Sequence, residues 1–212
     1  MNYESIAIGK VTNFYPLIIH GKYNNRWSGC VDCGIDKGAY SKSYSSFFDN
    51  VVSIDAIVRP EAHETLSCLP NVNIINQCLS SVTGDNVTFY EIVNDPALNT
   101  LHKAFLYHNL SNLDNVEVVE HKLTTIKLDD ILVLPNQIDF LKTDCEGADA
   151  DILVGAASII NRCRPTIVTE PNNSMIDRFM WSINYERRLI DEEYCADAIY
   201  LPSEVLKNDS SL

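Results

Sequence analysis

Residues 31–38, Val-Asp-Cys-Gly-Ile-Asp-Lys-Gly, place an acid and two glycines where an apolar run ends and a possible helix begins. Gly34 allows a tight turn or a close ligand approach, and Gly38 leaves room where the next helix packs. The Gly-x-Gly-x-x-Gly pattern of a dinucleotide site is absent. Asp32, two residues before the first glycine, would repel a pyrophosphate and suits a cationic ligand without phosphate. S-adenosylmethionine, with its ammonium and sulfonium, is such a ligand.

A second acid, Asp55, lies 21 positions after Gly34, the separation at which a carboxylate reaches ribose hydroxyls in nucleotide-binding α/β sheets. Asp32, Gly34, Gly38 and Asp55 are therefore candidate cofactor residues, with Gln77 and Cys78 after the third strand placed against adenine. A solvated strand-end aspartate is the plain structural alternative for Asp55.

The third cluster is Lys142-Thr-Asp-Cys-Glu-Gly147, which leaves a strong strand; Glu170 leaves the next. Asp144, Glu146 and Glu170 are the candidate catalytic residues, and Asp144 or Glu146 would steer or deprotonate an acceptor. Several acids at one sheet edge raise each other's pKa unless a cation intervenes: a sulfonium, a lysine or a divalent metal. The three acids have the hard oxygens a metal needs, but acids two residues apart are common, and no metal is required by the sequence. Helix capping is the structural alternative for Asp144 or Glu146. Asn99, Thr100 and His102 fall in an irregular stretch, 94–115, where a substrate wall is expected. His102 or His108 there could act as a base.

These residues need an alternating frame. Cys30–Cys33, Val51–Asp55, Val72–Asn76, Ile138–Thr143 and Pro165–Thr169 read as strands. Helices are expected from the glycine turn to Phe48 and over Pro60–Leu69, Ala148–Arg162 and Ser174–Asn184. The alternation argues for a parallel sheet covered on both faces. Thr88–Ile92 and Val116–His121 are further extended pieces, and Tyr185–Ile190 with Ala198–Leu201 would form a hairpin-like edge.

The 212 residues suit one α/β domain. The reading is a lead-in over 1–28 with no assigned fold, a domain over 29–207 and a flexible tail over 208–212. A net charge of −13 opposes binding to a nucleic-acid backbone. No run is apolar enough to span a bilayer, and no secretory leader is visible, so a cytoplasmic location is expected. The seven cysteines, including Cys30 and Cys33 at Cys-x-x-Cys spacing, complete no zinc or redox site and are expected to be reduced and mostly buried.

Taken together, the motifs resemble the FkbM family of S-adenosylmethionine-dependent methyltransferases. The likeness rests on Val31–Gly38, on Asp55, on Thr124–Asp130, on Leu141-Lys-Thr-Asp-Cys-Glu-Gly147, on Leu153-x-Gly155 and on Thr169-Glu170. It runs from about residue 29 to about residue 202, and the Lys-x-Asp-x-Glu-Gly block is its most specific part. The resemblance implies the Rossmann-like class I methyltransferase fold: a mostly parallel seven-stranded α/β sheet with helices on both faces and an antiparallel C-terminal edge strand. It also implies S-adenosylmethionine as cofactor and O-methylation of a sugar, glycan or other hydroxylated small molecule. Two departures stand out. Ile35-Asp36 replaces the family's usual Ala-Asn, so the resemblance adds Asp36 to the cofactor residues with an acceptor kept and a donor lost, and Asp55-Ala56 replaces Glu-Pro, shortening the ribose acceptor's arm. A catalytically degenerate cofactor-binding module and a nicotinamide dehydrogenase are the alternatives.

Overall fold

A computed structural model describes residues 27–93, 98–103, 117–170, 173–188 and 197–207. In chain order the elements are β1 (Trp27–Cys33), α1 (Ala39–Tyr44), β2 (Phe48–Asp55), α2 (Pro60–Leu66), β3 (Val72–Asn76), β4 (Cys78–Leu79), β5 (Asn86–Ile92) and β6 (Val118–Ile126). A 3-10 turn (Leu128–Asp130) leads to β7 (Phe140–Thr143), α3 (Asp149–Gly155), α4 (Ala157–Cys163), β8 (Thr166–Thr169), α5 (Ser174–Ser182), β9 (Tyr185–Arg188), β10 (Ala198–Pro202) and α6 (Ser203–Lys207).

Strand side chains alternate between faces, and the central strands are apolar on both. Val31, Cys33, Val52, Ile54, Leu141 and Ile167 join a core with Ile152, Ile160 and Met180 from α3, α4 and α5. Their strand neighbours Cys30, Val51, Phe140 and Val168 join a second core with Tyr44 of α1. Helices thus cover both faces, as expected. The sheet runs β3-β2-β1-β7-β8-β10-β9, seven strands as the resemblance implied, parallel from β3 through β8. The antiparallel strand is β10, paired to β8 and to β9, so it lies one place in from the edge and β9 forms the edge itself.

Several boundaries differ from the sequence reading. β1 starts at Trp27, inside the expected lead-in. α1 stops at Tyr44 rather than near Phe48, because the Asn71 side-chain amide donates to the Ser45 and Phe48 carbonyls and fixes a reversal there. α2 ends at Leu66, three residues before the pre-proline position Leu69, which disfavours helix. The single helix expected over 148–162 is two, broken at Ala156. The Asp129 carboxylate accepts from the Ser158 and Ile159 amides, both at 2.9 Å, and so starts a new helix there. Gly155 sits so close to the Ser80 carbonyl that a β-carbon would lie 2.3 Å from it.

The extended pieces around 88–92 and 116–121 are not part of the central sheet. β5 and β6 form an antiparallel pair, and β6 also takes β4 in parallel, giving a separate three-stranded sheet. Five of the seven cysteines are buried or partly so, Cys68 is exposed, and all six described thiols are free. Among the described residues no helix is long and apolar enough to cross a membrane. His108, Cys195, the expected lead-in before Trp27, the end of the expected strand to Ile190 and the expected tail lie outside the described residues.

Candidate active site

The parallel strands β1, β2 and β7 all end at the same rim, and ligands of open α/β sheets bind there. A cavity of about 260 Å³ opens at this rim. Of the residues singled out in the sequence, Gly34, Asp36, Asp55, Gln77, Cys78, Asn99, Asp144 and Glu146 line it. In sheet order the wall runs from Asp55 on β2, past the β1 turn, to the acids that follow β7.

The turn after β1 is held from both sides. Gly34 has a φ of +79°, and a β-carbon on it would lie 1.9 Å from the Asp144 carbonyl, so only glycine fits between the β1 and β7 ends. Asp55 accepts from the Ile35 amide at 3.0 Å and from the Ile57 amide at 3.1 Å. Burial raises its carboxyl above the ordinary value, against the pull of those amides. Asp36 also has positive φ, and its carboxylate is paired with Arg59 at 2.5 Å. Beside Asp55 the cavity wall is apolar, formed by Ile57, Leu79, Phe89 and Ile152 together with Cys78. Burial pushes the Cys78 thiol up to about 11, so it packs as a thiol and is no nucleophile at neutral pH.

The opposite end of the cavity is acidic. Glu146 takes a φ of +46° before Gly147 at +92°, a left-handed pair that folds the chain sharply between β7 and α3. Each of Asp144, Glu146 and Glu170 offers an oxygen within 4.8 Å of the others, close enough to share one cation. Glu170 is pushed up to about 8 by burial and by Asp149, Glu146 and Asp144, and so is mostly protonated at neutral pH. Lys142 donates to Asp144 Oδ2 at 2.8 Å; its side chain is 1% exposed and that of Asp144 40%. The Lys142 ammonium also lies over the Tyr40 ring, 4.5 Å from its centre.

Five expected site residues sit elsewhere. Asp32 does not line the cavity; it is fully buried, accepts from the Ser41 hydroxyl at 2.6 Å and faces α1. The reason is register: Asp32 stands beside Lys142 on β7 and Ser53 on β2, all on the α1 side of the sheet. Gly38 is also off the cavity and packs against Leu66 of α2. Thr100 is buried and donates to the Glu146 carbonyl at 2.8 Å, bracing the acidic turn from behind. His102 is exposed and outside the lining. Glu170 joins the acidic group but not the cavity wall. The sequence reading missed Tyr40, Arg59 and Lys142; of these Lys142 was signalled by its place two residues before Asp144, the spacing of one strand face.

Fold and site define a Rossmann-like domain with a cavity, apolar at one end and acidic at the other, at the carboxyl ends of its central strands. The Methyltransferase FkbM domain model matches residues 32–192, and the chain belongs to that family. An FkbM methyltransferase from Methylobacillus flagellatus KT has a similar structure, with a TM-score of 0.57 and 15% identity over 91% of this chain and 48% of that one. The chain thus spans about half the length of that relative. Lower similarity extends to the 1,6-didemethyltoxoflavin-N1-methyltransferase of Burkholderia thailandensis, solved with S-adenosylhomocysteine (TM-score 0.45, 10% identity, 93% of this chain and 80% of that one). It extends also to an rRNA methylase from Streptococcus thermophilus (TM-score 0.43, 12% identity, 84% and 87%). No curated protein matches the chain.

Proposed function

We propose that this chain is an S-adenosylmethionine-dependent methyltransferase that methylates a hydroxyl on a sugar, glycan or other small molecule. The observation that carries the reading is the meeting of the Gly34 turn, Asp55 and the acids after β7 around one cavity, in a chain of the FkbM family. The donor set fits the cofactor. There is an acceptor for ribose in Asp55, an apolar wall for adenine, carboxylates for a cationic end, and no phosphate cradle.

When bound, S-adenosylmethionine supplies an electrophilic methyl group. The chain's own part is alignment: the Gly34 and Asp55 end fixes the nucleoside, and the Asp144 and Glu146 end faces the acceptor. Asp144 keeps one oxygen on Lys142, so its negative charge stays at the wall, where it orients an acceptor hydroxyl. Asn99 projects from the 98–101 segment and closes the acceptor side, its Oδ1 held by the Ile92 amide at 2.8 Å. Glu170, set behind Asp144 and Glu146 and outside the cavity wall, acts on this end only through its neighbours.

The acidic mouth and the net charge of −13 favour neutral polyhydroxylated acceptors over phosphorylated ones and over nucleic acid. Calorimetry with S-adenosylmethionine and S-adenosylhomocysteine tests the reading. Binding of both is expected, and binding of neither overturns it.

A further inference from the structure

Asp32 and Lys142 stand side by side in register on β1 and β7, and Asp144 follows Lys142 by two residues on the same face. The three form a line from the buried underside of the sheet edge to the cavity wall: Asp32 fully buried, the Lys142 side chain 1% exposed, that of Asp144 40%. The line is walled in by α1. Ser41 donates to Asp32, Ser53 donates to Ser41 at 2.7 Å, and the Tyr40 ring covers the ammonium. Of the three charged groups, Asp144 alone lines the cavity.

A lysine buried this completely costs free energy, and a buried ion pair adds little stability over a hydrophobic replacement of equal size. Its retention here is explained by where it ends. The ammonium takes Asp144 Oδ2 and so fixes the plane of a carboxylate that a short, half-exposed side chain would otherwise let turn. Asp32 supplies a second carboxylate beside the ammonium from below, so the acids around Lys142 outnumber it at the wall that Asp144 presents to the cavity.

We infer that Lys142 is a positioning residue: bonded to Asp144 and standing beside Asp32 on the neighbouring strand, it sets the Asp144 carboxylate toward the sulfonium end of the cofactor and so favours the methylated, cationic form over the demethylated product. The inference rests on the methyltransferase reading. It gives the site a preference based on charge, since the two cofactor forms differ only by the methyl group and the sulfonium charge.

The test compares the affinities of S-adenosylmethionine and S-adenosylhomocysteine by calorimetry in the wild type, in the Asp32→Asn/Lys142→Met double variant and in Asp144→Asn. The double variant removes the two buried charges together, so neither is left buried without the other, while the more exposed Asp144 loses its ammonium partner. The expected result is a double variant that melts near the wild type yet loses about tenfold of its preference for S-adenosylmethionine, with S-adenosylhomocysteine binding little changed. Asp144→Asn should lose the same preference, and the triple variant no more, because the two changes break one interaction. A merely structural role would weaken both ligands equally and leave the ratio where it was.

An unchanged ratio in a folded double variant overturns the inference while leaving the methyltransferase reading intact. Should the double variant not fold, Asp144→Asn alone decides, and an unchanged ratio there overturns it. A wild type that binds neither ligand removes the reading and the inference together.

Discussion

Gly34 and Gly84 share a left-handed backbone, with φ of +79° and +94°, but a methyl group would be received differently at each. At Gly84 nothing lies within 4 Å, so Gly84→Ala should cost only the left-handed penalty, about 1–2 kcal/mol. At Gly34 the same methyl meets the Asp144 carbonyl at 1.9 Å and must part β1 from β7. Gly34→Ala should therefore cost on the order of 3 kcal/mol or more and abolish S-adenosylmethionine binding. Urea denaturation of the two variants checks the contrast, and equal losses would argue against the close approach. Asp55, the ribose acceptor of the proposed function, holds the Ile35 and Ile57 amides with its two oxygens. Asp55→Ala should weaken cofactor binding by about 1–3 kcal/mol, and Asp55→Asn by less, because it keeps one acceptor for the turn. Calorimetry reads both; an Ala variant that binds like the wild type would count against Asp55 as the ribose acceptor.

Among the elements, the segment at 98–101 behaves as a strap. Thr100 pairs with Tyr90 of β5 through both backbone groups, and its hydroxyl reaches across to the Glu146 carbonyl. Thr100→Val keeps the shape, removes that bond and leaves a strained left-handed turn without its brace. The expected outcome is cofactor or acceptor binding several-fold weaker with a loss of stability of about 1 kcal/mol; a variant with full affinity would show the strap to be passive. The parts of the fold that were legible are those set by local pattern: alternation in β1, β2, β7 and β8, and acids or glycines at strand ends, which put Gly34, Asp55, Asp144 and Glu146 on one rim. What was not legible depends on distant partners. The break at Ala156 needs Asp129, the separate sheet needs β4 beside β6, and the burial of Thr100 needs the Glu146 carbonyl. Asp32 was misplaced for a subtler reason. Its type suits a ligand, but its parity along β1, the same as Cys30, turns it toward α1 and away from the rim.

For the molecule as a whole, the acids held inside the fold bear on how stability depends on pH. Asp32 is pushed up to about 6 from an ordinary 3.8, by burial above all, with Lys142 and Ser41 opposing. Burial also raises Asp55 and Asp149, and Glu170 rises from 4.5 to about 8. The sign is fixed by proton binding: a carboxyl that holds its proton more tightly when folded than when unfolded makes stability fall as pH rises between its two values. For Asp32 that window is pH 3.8 to about 6, below which it has no effect and above which the loss is complete. Across that window the fully buried Asp32 accounts for a total loss of about 3 kcal/mol. Self-repulsion in a chain of net charge −13 acts in the same direction, so the stability maximum should lie on the acid side of neutrality. Urea midpoints from pH 4 to 8 should fall steadily for the wild type. For Asp32→Asn the curve should be flatter between pH 4 and 6 and run parallel to the wild type above it, whatever constant offset the amide brings. Parallel curves across the whole range would mean that Asp32 titrates alike in the folded and unfolded chains, and that Lys142 fully offsets its burial.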